Sequence, residues 1–90
     1  MTFSDAIKYV KQGYRLSREG WNGKKQYIEL ATNISYKNAR GEIVNAEHKN
    51  IGSQAIAFVG TSGVQVGWLA SQADMLADDW EIALGCLHEK

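Results

Sequence analysis

A single cysteine, Cys86, in a chain of 90 residues removes the disulfide framework on which many domains of this size depend. A chain of that length buries only about 60% of its unfolded surface. It therefore makes one domain, residues 1–90, with a small core. A metal or self-association remains as the usual supplement. His48 and His88 lie far apart and Cys86 has only His88 nearby, so no metal-ligand cluster of two-plus-two spacing is present. Association into a closed symmetric homo-oligomer is the expectation that follows. A lone thiol suits a reducing compartment. Met1-Thr2-Phe3-Ser4-Asp5 carries no basic residue, and no apolar run approaches the roughly 20 residues needed to span a bilayer, so a cytoplasmic location without a membrane partner is expected.

Periodicity predicts an α+β fold: a small, mainly antiparallel sheet with an N-terminal helix and a short helix before the last strand. Phe3, Ala6, Ile7 and Val10 recur at helical spacing behind Thr2 as N-cap, and Gly13 stops the run, which predicts a helix from Phe3 to Gln12. Tyr14 to Ser17 and Gln26 to Thr32 alternate as strands, joined through Arg18-Glu19-Gly20-Trp21-Asn22-Gly23. The polar stretch Asn33 to Ser53 reads as surface loop, with a turn at Asn38-Ala39-Arg40-Gly41 and a short strand at Ile43-Val44. Ala55 to Val59 and Val64 to Trp68, joined by Gly60-Thr61-Ser62-Gly63, predict a central hairpin forming the core. Ser71-Gln72-Ala73-Asp74 has the form of a capping box for a helix reaching about Ala77, with Met75 and Leu76 covering the sheet. Trp80, Ile82 and Leu84 then alternate as a terminal strand.

Ten Lys and Arg balance ten Asp and Glu, so the chain lacks the basic excess that a phosphate backbone demands, and duplex nucleic acid is not expected as a partner. Three tryptophans, four tyrosines and nine glycines instead supply flat π surfaces and turns that let backbone approach a small molecule closely. Two segments combine an aromatic with polar residues: Arg18 to Gly23 and Gly67 to Asp74. A tryptophan face stacks on a nucleobase, Asn or Asp holds hydroxyls or base edges, and free N–H groups after Ser71 suit a phosphate. Each tryptophan equally suits packing, Trp80 most of all. Cys86 beside His88 makes a poor nucleophile pair, and Gly60-Thr61-Ser62-Gly63 lacks the lysine of a phosphate-binding loop. Asp78-Asp79 with nearby Asp74 form the best carboxylate group for a hydrolase, although acids beside a short helix are more often solvated end residues.

Phe3-x-x-Ala6-Ile7 ending at Gly13, Arg18-x-Gly20-Trp21-Asn22-Gly23-Lys24, and Gly67-Trp68-x-Ala70-Ser71-Gln72-Ala73-Asp74-Met75-Leu76-Ala77-x-Asp79-Trp80 together resemble the phage-encoded Thoeris anti-defence family of the second type. The resemblance spans nearly the whole chain, with no matching motif from Asn33 to Ser53. It implies a sponge: a homo-oligomer, typically a tetramer, in the bacterial host cytoplasm. Such a sponge captures a cyclic ADP-ribose isomer such as glyco-cyclic ADP-ribose, in some members also cyclic oligonucleotides, without cleaving it and without a cofactor. The candidate ligand-binding residues are Trp21 and Trp68 for stacking, Asn22 and Asp74 for hydroxyls or base edges, Arg18 and Ser71 with Gln72 for phosphate or ribose, and Phe3 to close the pocket. A hydrolase built on Asp74, Asp78 and Asp79, and a protein-interaction module whose tryptophans only pack, are the rival expectations.

Overall fold

The computed structural model describes residues 1–21, 25–32, 34–45 and 54–83. Helix α1 covers Phe3–Lys11, one residue short of the expected end. Thr2 caps it by accepting the Asp5 N–H at 3.2 Å, while Asp5 in the first turn and Lys8 and Lys11 in the last oppose the helix dipole. Gln12 already donates to Tyr9 O at 3.0 Å, and Gly13 leaves the helix at φ +99°, a value that favours glycine.

Strands β1 (Leu16–Arg18), β2 (Tyr27–Ala31), β5 (Ala55–Gly60), β6 (Gly63–Val66) and β7 (Trp80–Ile82) make one antiparallel sheet in the order β6-β5-β2-β1-β7. The α+β expectation holds. β1 begins later than Tyr14 because the Tyr14 N–H is still bonded to Tyr9 O of the helix exit, at 3.1 Å; it runs on to Arg18, which pairs with Trp80. Strands β3 (Ser35–Lys37) and β4 (Ile43–Asn45) form a separate two-stranded sheet where one short strand was expected. Its turn is tied by Asn38 Oδ1, which accepts the Arg40 and Glu42 N–H groups at 2.9 Å each. Helix α2 (Gln72–Leu76) starts at Ser71 as expected. Leu84, His48, Cys86 and His88 lie outside the described residues.

The register sorts side chains onto two faces. Leu16, Arg18, Ile28, Leu30, Phe58, Trp80 and Ile82 share one, and α1 lies over it, burying Ala6 and Val10 against Leu16, Ile28 and Trp80. The other carries Tyr27, Glu29, Ala57, Val59, Val64 and Val66, with no described helix over it. Two expectations are corrected here. The hairpin β5–β6 does not form the core as a unit: β5 packs Ile56 and Phe58 against it, but β6 is the sheet edge and leaves Val64 and Val66 62% and 52% exposed. Met75 and Leu76 do not cover the sheet either, since both are exposed. A helix of five residues presents about one inward position per turn, and Asp74 and Ala77 take the inward places.

Ile28, wholly buried between Leu16 and Phe58 in register, should be a costly strand position to truncate. Ile28→Ala is expected to lose about 2–5 kcal/mol in urea unfolding followed by tryptophan fluorescence. Leu76→Ala, at an exposed site, should stay within about 0.5 kcal/mol of the parent.

Candidate ligand pocket

Trp80 opens β7 and is 1% exposed, so its indole N–H must find a partner inside the protein. It donates to Asp74 O at 2.9 Å, fixing α2 against the sheet. The side chain of the same aspartate works in two directions. Its Oδ2 accepts the Ser71 N–H at 3.1 Å, and its own N–H donates to Ser71 Oγ at 3.0 Å, completing the capping box; its Oδ1 accepts Arg18 Nη1 at 3.0 Å. Arg18 also donates from Nε to Asp79 Oδ1 at 2.9 Å, so one guanidinium from β1 clamps the start and the end of the α2 segment.

Burial pushes the Asp74 carboxyl up, but the Ser71 backbone N–H and the Arg18 guanidinium outweigh it and hold the group below the usual carboxylate range. Arg18 is held charged by Asp79 first and Asp74 second. An acid kept ionised in this way is a poor proton donor near neutrality.

Around Trp80 the aromatic residues converge. Trp21 stands edge-on to Trp80 at 5.2 Å between ring centroids, to Phe58 at 5.4 Å and to Trp68 at 6.2 Å; Phe3 meets Trp80 at 5.4 Å and Phe58 stacks on Trp68 at 6.3 Å. Trp21 and Trp68 remain half-buried. The two segments singled out in the sequence, 47 positions apart at these tryptophans, are thus neighbours in the fold.

A cavity of about 960 Å³ opens where β1 ends and β2 and β7 begin. Trp21, Tyr27, Trp80 and Val59 give it aromatic and apolar walls, Arg18 and Lys25 give it cations, and Glu19 and Glu81 give it anions. The volume lies within the range of small-molecule sites. Of the expected residues, Arg18 and Trp21 line this cavity. Ser71 and Asp74 stand behind Arg18 as its supports, Trp68 stands behind Trp21, and Phe3 lines a smaller cavity of about 620 Å³ with Ile7, Met75 and Leu76. Gln72, in the first turn of α2, is exposed, and Asn22 lies outside the described residues. Tyr27, Lys25 and Glu81 were missed. The alternation of β2 set Tyr27 opposite Ile28 and so gave a signal for the first, on which Arg15 also sits, 4.8 Å from the ring centre.

Because the folded Asp74 carboxyl is depressed, its contribution to stability is complete above the unfolded carboxylate range and is lost as the pH falls through its folded value. Thermal unfolding of the parent should fall steeply at acid pH, and Asp74→Asn should start lower at neutrality and show a flatter acid limb. An unchanged acid limb in that variant would exclude this role for Asp74.

Residues 1–83 match the family model of the Tad2-like, Thoeris anti-defense 2-like domain. The chain is also 33% identical, over 91% of its length and 93% of the relative's, to the Thoeris anti-defense 2 protein of Bacillus phage SP01. With the family model matched from α1 through β7 and the relative matched over nine-tenths of the chain, the chain belongs to the Tad2-like family of Thoeris anti-defense proteins.

Proposed function

We propose that the chain inhibits Thoeris defence by binding and holding a nucleotide-derived immune signal, a cyclic ADP-ribose isomer such as glyco-cyclic ADP-ribose, without cleaving it. The observation that carries this reading is the cavity between β1, β2 and β7, where aromatic faces stand beside two cations and two carboxylates. Trp21 and Tyr27 offer stacking surface for an adenine. Arg18 and Lys25 suit a pyrophosphate, and Arg18 comes pre-oriented by Asp74 and Asp79, which lowers the ordering cost of binding. Glu19 and Glu81 suit ribose hydroxyls as acceptors. With Arg18 already paired to Asp74 and Asp79 and with Glu19 and Glu81 in the lining, the cavity favours a ligand with few phosphates and many hydroxyls over a longer, more anionic cyclic oligonucleotide. Trp68 and Ser71 back the site from behind Trp21 and Arg18, Asn22 and Gln72 are proposed as further ligand contacts, and Phe3 lines the separate smaller cavity.

Holding rather than cleaving is supported by the state of the acids. Asp74 and Asp79 both spend an oxygen on Arg18, and Asp74 stays ionised, so neither is arranged as a general acid. In keeping with this, tight ground-state binding without transition-state complementarity slows any reaction of the ligand. The protein acts as a homotetramer in the host cytoplasm, the exposed Val64 and Val66 of its open sheet face supplying apolar surface for a second copy.

Calorimetry with the cyclic ADP-ribose isomer should give saturable binding, and Trp21→Ala should weaken it by roughly 1–3 kcal/mol while remaining folded. Ligand released by heat after hours of contact should be chromatographically unchanged. Absence of binding, or linear ADP-ribose appearing in proportion to protein and lost in Asp79→Asn, would overturn the reading.

A further inference from the structure

The outer edge of β6 has no partner among the described residues, and its backbone phase is fixed. Gly60 pairs with Gly63, Val59 with Val64, Phe58 with Gln65 and Ala57 with Val66, without a bulge. Gly67 N–H donates to Ile56 O at 3.0 Å. Antiparallel pairs alternate between those that exchange hydrogen bonds and those that do not. Gly63, Gln65 and Gly67 therefore bond inward to β5, and Val64 and Val66 turn their N–H and C=O groups outward.

Exposed edges in folded proteins are usually blunted by charge, proline, a bulge or a cover. Gly63-Val64-Gln65-Val66 has neither charge nor proline, and every residue of it is exposed. The opposite edge is treated differently. There β7 carries exposed Glu81, and Met1 closes its first residue, accepting the Trp80 N–H at 3.1 Å and donating to Trp80 O at 2.7 Å.

We propose that β6 pairs antiparallel with β6 of a second copy about a two-fold axis through Gln65, Val64 lying opposite the partner's Val66 and Gln65 opposite the partner's Gln65. Outward-bonding residues can pair only with outward-bonding residues, and this register satisfies the N–H and C=O of both valines on each strand. A two-fold contact sets a strand against itself, so any charge near the axis would oppose its own copy. The segment carries none, and the Gln65 amide, with a donor and an acceptor, is complementary to a second copy of itself. All four valines then fall on the same face as Val59 and Ala57 and extend the open apolar strip across the axis. The pairing is independent of what the cavity binds.

Disulfide trapping tests the register. In a Cys86→Ser background, Gln65→Cys places two thiols at a pair that does not exchange hydrogen bonds, with Cα atoms about 4.5 Å apart and within disulfide reach. It should convert to covalent dimer under mild oxidation at least tenfold faster than Thr61→Cys, which sits in the turn. Gln65→Lys in the otherwise native chain should raise the concentration at which light scattering detects dissociation by at least tenfold, with thermal unfolding of the dissociated chain unchanged. Equal cross-linking at Gln65 and Thr61, assembly indifferent to Gln65→Lys, or a native chain that is monomeric at micromolar concentration would each overturn the pairing. Calorimetry on Gln65→Lys separates this result from the ligand reading, because the cavity residues are untouched.

Discussion

A buried indole has one polar atom to satisfy, and the bond from Trp80 Nε1 to Asp74 O is the contact around which the C-terminal third is arranged. Leaving that N–H unpaired would cost on the order of 1–3 kcal/mol, so α2 must present a carbonyl at that point of the sheet. A helix of five residues cannot hold itself together in water. It is held here by its capping box, by Arg18 reaching from β1, and by the indole beneath it. The consequence runs through to the cavity wall. Once Trp80 is placed, Trp21 and Phe3 pack against its ring and Arg18 is drawn to the same end of the sheet.

This hierarchy explains which parts of the domain were legible in the sequence. Elements whose signal is local were readable: α1 from its apolar spacing and Thr2 cap, α2 from Ser71 and Asp74, β2 from strict alternation. Elements whose character depends on their neighbours were not. Val64 and Val66 look like core valines until the strand order shows that, among the described residues, β6 has a partner on one side alone. Likewise, Met75 and Leu76 look like a covering face until the helix proves too short to have one. The hairpin of β3 and β4 was half visible, since Asn38 and Gly41 signal the turn while Ser35-Tyr36-Lys37 is too short and polar to signal a strand.

The site divides along the same line. Chemistry found the residue types, and the fold decided which of them face the cavity. Arg18 and Trp21 do, whereas Ser71 and Asp74 stand one layer back, holding Arg18 in place. Spacing along the chain carries no information about such layering, because a capping box and a ligand-binding turn draw on the same side chains. Tyr27 and Lys25 were missed for the complementary reason: neither belongs to a motif, and only the meeting of three strand ends brings them to the cavity.

All three tryptophans of the chain stand within 6.4 Å of one another, centroid to centroid, and each pair meets nearly edge-on, at 75° to 77°. Transition dipoles at that spacing do not absorb as isolated chromophores. They couple, and the near-ultraviolet circular dichroism of this domain is a collective signal whose sign and splitting depend on the mutual angle of the rings. The cluster is thus an optical gauge built into the protein. A change of a few degrees in the pose of Trp21 at the cavity wall registers in the spectrum of the whole cluster, and the signal vanishes with tertiary packing even where the strands persist.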